Sequence, residues 1–319
     1  MDVMDGFLHW LRTGTVACAC YFMACVAVHA QPQGGVPVSF NSLDGAGASM
    51  ALRGVLYKPA GDAKGAVVLV HGSGGWSDHR EGHYARALSA AGYVALALDS
   101  FGPRGIGSTV EDQSRISTLQ MTRDAFAARR FLIEQNVPPR RIAVAGFSKG
   151  STVALYAADR NFLPAEKERF AAAAPFYPSS TVRSREPLPA SPVFMALGEK
   201  DDYTGVKPCQ ALAADFAGAG GKIDVKVYPG ASHAFDGNPA HTRLHRESMA
   251  ENFMDCVVLL EPDGRQSYDG KTYASTDPSL LDALRKTCVK KGASLWSNPG
   301  QRDVATRDLI EFLDANLTR

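Results

Sequence analysis

The 319-residue chain carries almost no net charge: 34 lysines and arginines face 33 aspartates and glutamates, a formal +1. Without a cationic surplus it has little with which to neutralise a phosphate backbone, which argues against a nucleic-acid partner. The body of the chain also lacks the uncharged apolar run of about 18 residues that marks a membrane-spanning helix, so no stable membrane span is expected. Internal repeats and low-complexity linkers are missing too. With 45% hydrophobic and 21% charged residues, the disordered, collagen-like and disulfide-scaffold classes are excluded. Cysteine is sparse: of six, Cys18, Cys20 and Cys25 fall near the N-terminus, none after a convincing lipobox.

That N-terminus reads differently from the rest. Arg12 precedes an apolar run ending in Val28-His29-Ala30, whose small or β-branched residues suit signal peptidase, although Asp2 and Asp5 leave the leading segment poor in basic charge. Residues 1–30 are therefore read as a signal peptide cleaved after Ala30, giving a secreted or periplasmic chain from Gln31; an uncleaved buried or anchoring helix is the alternative. Export leaves Cys209, Cys256 and Cys288, which allow three single pairings. The expected one is Cys256 with Cys288, leaving Cys209 free.

From residue 36 onward, strand and helix signals alternate. Ala66–Val70, Tyr93–Leu98, Arg141–Ala145, Phe170–Pro175 and Pro192–Leu197 read as strands, mostly continuous apolar runs of the kind buried on both faces. Ile223, Val225 and Val227 alternate with Lys222, Asp224 and Lys226, a strand nearer the sheet edge. Helical stretches fall at 81–91, at 119–135 before Pro138 and Pro139, at 151–158, and at the C-terminus around Ala305, Leu309 and Phe312. Such alternation predicts a mostly parallel, doubly wound sheet in a single domain, residues 31–319.

The most informative segment is Gly146-Phe147-Ser148-Lys149-Gly150, between a strand and a helix, the context of a nucleophile elbow. A serine hydroxyl is a weak nucleophile at neutral pH and needs a base and a group to orient that base. After the next strands come Gly198-Glu199-Lys200-Asp201-Asp202 and Pro229-Gly230-Ala231-Ser232-His233, the chain order Ser, Asp, His of the α/β-hydrolases. Ser148 is the expected nucleophile, His233 the base and Asp201 the acid, with Asp202 and Glu199 as competitors for the last role. The oxyanion site is expected at the backbone N–H groups of Lys149, next to the nucleophile, and of Ser73 in His71-Gly72-Ser73-Gly74-Gly75. Tyr177 either lines the substrate pocket or only packs. His79/His83 and His241/His245 share metal-ligand spacing but lack a third ligand, so no metal is expected. Arg129, Arg130, Arg140 and Arg141 read as a solvated helix end.

Taken in order, D-S-F-G-P-R-G, G-F-S-K-G, G-E-K-D-D-Y-T and Y-P-G-A-S-H-A-F-D resemble the dienelactone hydrolase family of α/β-hydrolases over roughly residues 36–240 and the final helix. The resemblance implies an α/β-hydrolase fold and cofactor-free hydrolysis of a small ester or lactone through an acyl-enzyme. It also implies a substrate-binding arginine in the region of Arg104. Position agrees, because this loop follows a strand and should open on the same sheet edge as Ser148; a structural arginine tied to Asp99 or a nearby carbonyl is the competing reading. Two departures stand out: the namesake enzymes use a cysteine nucleophile where this chain has Ser148, which moves the expectation toward a general carboxylesterase, and residues 237–300 look like an insertion before the last helix. Another acyl-transfer enzyme on this fold, a peptidase or acyltransferase, and a catalytically retired binding protein stay open beside the serine esterase.

Overall fold

The computed structural model describes residues 34–43, 47–275 and 277–317; the expected signal peptide lies outside them. In chain order the elements are β1 (Val36–Leu43), β2 (Ser49–Tyr57), β3 (Gly65–Val70), α1 (His83–Ala90), β4 (Tyr93–Asp99), α2 (Thr118–Glu134), β5 (Ile142–Phe147), α3 (Lys149–Ala158), β6 (Ala173–Phe176) and β7 (Val182–Ser184). There follow β8 (Val193–Gly198), α4 (Val206–Gly218), β9 (Ile223–Tyr228), β10 (His245–Asn252), β11 (Val258–Leu260), β12 (Gln266–Tyr268), β13 (Lys271–Tyr273), α5 (Ser279–Thr287), β14 (Lys290–Leu295) and α6 (Pro299–Leu317).

Eight strands form one sheet in the order β1-β2-β4-β3-β5-β6-β8-β9, antiparallel through β1, β2 and β4 and parallel beyond. This is the α/β-hydrolase arrangement expected from the sequence, with a two-stranded antiparallel margin that the apolar runs did not announce. Side chains alternate across the sheet. In β3, Val68 and Val70 join one core with Ala125 and Leu132 of α2 and Val153 of α3, whereas Val67 and Leu69 join another with Leu88 of α1 and Leu309 of α6. Both faces are therefore covered, which is why β3 and β5 read as unbroken apolar runs.

Helix ends follow local chemistry. The Ser117 hydroxyl accepts from Gln120 N–H to cap α2. The helix expected at 81–91 opens as a π turn, Asp78–Gly82, capped by Ser77, before α1 begins at His83. Residues 237–300 hold structure of their own. β10 pairs antiparallel with β14, and β11 extends a small sheet onto β7, with Val258 opposite Val182. The Cys256–Cys288 disulfide, Cα–Cα 5.3 Å, joins the chain just before β11 to the end of α5, and Cys209 is free and buried. Residues 31–319 cluster as one compact unit that includes this segment.

Candidate active site

Parallel strands deliver their C-terminal ends to one edge, and three of those ends converge. β5 turns sharply into α3 at Ser148, held at φ 54°, ψ −118°. The turn is possible because its flanking residues lack side chains: a Cβ on Gly146 would strike the Gly150 carbonyl, and one on Gly150 the Val70 and His71 carbonyls. After β9, the loop presents His233, whose Nε2 lies 2.9 Å from Ser148 Oγ; its Nδ1 lies 2.8 Å from Asp201 Oδ2, beyond the end of β8. All three side chains are buried.

Asp201 is held from several sides. Its Oδ1 accepts from the N–H groups of Tyr203 and Thr204, each at 2.8 Å, and its Oδ2 accepts from the Thr204 hydroxyl at 2.8 Å. Burial works to raise its pKa, but the His233 charge and these donors outweigh it and keep the carboxyl below its ordinary range. The competing acids point elsewhere. Asp202 accepts from Ser294 N–H and pairs with Arg246, and Glu199 accepts from Gly230 N–H. The His233 ring sits against Tyr177 and Tyr203, each edge-on at 4.8 Å between centroids.

The loop after β3 brings Ser73 to the same edge, so close that a Cβ on Gly72 would lie 2.9 Å from the Phe147 carbonyl. Lys149 N–H, at the first position of α3, has no intrahelical carbonyl to bond. The side chains of both residues meet at Gln113. Its amide reaches Ser73 Oγ at 3.1 Å and Tyr203 OH at 3.4 Å, while Lys149 Nζ donates to Gln113 O at 2.9 Å and Oε1 at 3.1 Å. Gln113 N–H in turn donates to Glu251 Oε2 at 2.8 Å. Burial pushes the Lys149 amine down to about 7, with the Asp112 and Glu251 charges pulling weakly the other way.

A cavity of about 210 Å³ opens beside Ser148, bounded by Ser73, Gln113, Lys149 and Tyr203 toward the serine. Two expected lining residues are not brought to it. Arg104 is held by Asp124, Nη1 to Oδ2 at 2.7 Å and Nη2 to Oδ1 at 3.0 Å, and donates to the Ser100 carbonyl, which is the geometry of the competing structural reading, with Ser100 O as the nearby carbonyl and Asp124 in place of Asp99 as the acid. Tyr177 is fully buried, its hydroxyl donating to Asp236, so it packs behind His233 and does not line the cavity. Asp236 also accepts from Tyr84 OH at 2.9 Å, and burial raises its carboxyl despite the nearby Arg80. Sequence reasoning gave no role to Gln113, Glu251 or Tyr203; only Tyr203, two residues beyond Asp201 and inside G-E-K-D-D-Y-T, stood within a recognisable motif. Among the described residues no group of three His, Cys, Asp or Glu is disposed to hold a metal. His83 bonds Thr306, and His245 faces Glu247.

Residues 52–262 match the sequence profile of the dienelactone hydrolase family. A curated relative from Aquifex aeolicus, named "Putative carboxymethylenebutenolidase", is 27% identical over 157 residues, 46% of this chain; the match spans 65% of that relative's length. Among solved structures, the dienelactone hydrolase-like promiscuous phosphotriesterase P91 from metagenomic libraries superposes with a TM-score of 0.54 at 16% identity, covering 89% of this chain and 99% of that one. Apo esterase 2 of Thermogutta terrifontis superposes with a TM-score of 0.51 at 20% identity, covering 65% and 87%. At these identities the two structures speak to the fold.

Proposed function

This chain belongs to the dienelactone hydrolase family, and from that premise we propose that it is a serine hydrolase that cleaves a small carboxylic ester or lactone through an acyl-enzyme. The observation that carries the reading is the unbroken relay from Ser148 Oγ to His233 Nε2 and from His233 Nδ1 to Asp201. In the first step Ser148 Oγ bonds to the ester carbonyl carbon while its proton passes to His233 Nε2. Asp201 fixes the imidazole tautomer and stabilises the imidazolium, and the N–H groups of Ser73 and Lys149 receive the oxyanion. Collapse breaks the ester C–O bond, and the leaving alkoxide takes the proton from His233. Water then attacks the acyl-enzyme, gives a proton to His233, and the carboxylic acid departs as Ser148 is reprotonated. In a lactone the alcohol and the acid leave as one molecule.

Ser148→Ala and His233→Ala are each expected to lower turnover of a short p-nitrophenyl ester by ~10⁴ to 10⁶, and the double variant by no more than the worse single one, because members of such a relay act as a unit. Near-normal turnover by Ser148→Ala would refute the assignment. Labelling of Ser148 by a fluorophosphonate separates this reading from a retired binding protein, and product analysis with added alcohol or amine separates hydrolysis from acyl transfer. We also infer export with cleavage after Ala30, supported by the Cys256–Cys288 disulfide, since such bonds persist in oxidising compartments.

A further inference from the structure

Beside the hydroxyls of Thr118, Thr152, Ser179 and Thr181, five apolar or aromatic residues outside the relay line the cavity. Tyr156 comes from α3, Val182 from β7, Phe253 from the turn after β10, and Leu281 and Leu284 from α5. Three of these five belong to the 237–300 segment. Leu284 packs in one small core with Cys256, Val258 and Leu280, with Phe253, Val182 and Cys288 against it, so the disulfide lies within the cluster that shapes the wall.

Charge at the cavity is already committed. Glu251 accepts from Gln113 N–H and from Arg285 Nε, and Arg285 also reaches Asp112. Lys149 is engaged by two oxygens of Gln113, and its burial disfavours the ammonium near neutral pH. No arginine is among the described lining residues, and Arg104 is held by Asp124. A substrate carboxylate entering here would lose its hydration against an apolar wall and a resident Glu251 carboxylate.

Resting on Ser148 as the nucleophile, we propose that this cavity binds an uncharged apolar substituent of the ester, and that the substrate class is an uncharged ester with one medium-length alkyl or aryl group, in contrast to a carboxylate-bearing lactone. At about 30 Å³ per water-sized group, the cavity volume accommodates a chain of roughly four to eight carbons. Each methylene moved from water to that wall raises kcat/KM by about fourfold.

The test uses the full mature chain with p-nitrophenyl acetate, butyrate, hexanoate and octanoate, a matched series of alkyl acetates, and the p-nitrophenyl monoester of adipic acid. One series, acyl or alkyl, is expected to rise at least 30-fold in kcat/KM up to about six carbons, and the adipate monoester to fall at least 100-fold below the hexanoate. Leu281→Trp, which fills the cavity, is expected to cut the hexanoate-to-acetate ratio at least tenfold, and Leu281→Ala to move the optimum to a longer chain. Fluorophosphonate titration of Ser148 counts competent sites in every variant, so misfolding cannot mimic the ratio change. Two flat chain-length series overturn the substrate class. So does an adipate monoester cleaved faster than the hexanoate, above all if Lys149→Met removes the difference, for the cavity would then be an anion site. Failure of Ser148 to label overturns the catalytic reading itself.

Discussion

Lys149→Met isolates what a buried amine does to the stability of this fold. Burial lowers the Lys149 pKa from the ordinary 10.5 to about 7, so the ammonium is the disfavoured form in the folded protein. The unfolded chain keeps its proton up to the ordinary lysine range. Between about pH 7 and 10.5 the unfolded state therefore binds more protons than the folded one, and stability rises with pH across that window. A shift of that size corresponds to a cost of roughly 5 kcal/mol when the buried amine is charged, of which about 2 kcal/mol is relieved between pH 7 and 9. Several buried tyrosines and carboxylates also titrate differently in the folded state, but they are common to both proteins and cancel in the difference. Urea midpoints measured at pH 7, 8 and 9 should show the wild type gaining about 2 kcal/mol relative to Lys149→Met. A separation that stays constant from pH 7 to 9 would refute the reasoning, because the amine would then not change charge in that interval.

Two further outcomes follow from separate parts of the molecule. Replacing Cys256 and Cys288 together by serine reopens a loop with a sequence separation of 32 and should cost up to about 3.7 kcal/mol in the chain-entropy treatment, read by urea unfolding against the parent under non-reducing conditions; an unchanged midpoint would mean that the wall is held by packing alone. Arg104→Ala leaves the fully buried Asp124 carboxylate without its cationic partner, with only the Ser42 hydroxyl and the Gln120 amide still donating to it, and should destabilise by about 3–5 kcal/mol while affecting charged and uncharged esters alike; a loss confined to carboxylated esters would give Arg104 a substrate role.

Legibility in the sequence tracked how local the determining physics was. Strands β3, β4, β5 and β8 were readable because burial on both faces demands unbroken apolar residues, whereas β1 and β2, half exposed and pairing antiparallel, carry a weaker pattern. That Ser148, His233 and Asp201 come together was legible because the elbow needs its glycines and because the chain order of strand ends is set by topology. Between the two neighbouring aspartates, Asp201 is the one that bonds His233 Nδ1, while Asp202 turns to Ser294 N–H and Arg246. The Cys256–Cys288 pairing, expected among three possibilities, is the one formed. Arg104 shows where local reading stops. Its loop position suggested the active-site edge, but a buried carboxylate twenty residues further on, inside α2, claims its guanidinium, and nothing near Arg104 announces that acid. Gln113 and Glu251 were invisible for the same reason: each matters through partners on other elements, and neither sits in a motif.

The conformation of Ser148 bears on which residues could have occupied that position. At φ 54° and ψ −118° an L side chain is strained by about 1–3 kcal/mol, and glycine would adopt the same backbone with little penalty. Selection for durability alone would therefore replace this serine with glycine and keep the turn, the sheet edge and both cores intact. Its presence there runs against the local stability gradient, and that opposition is independent of any resemblance to other proteins.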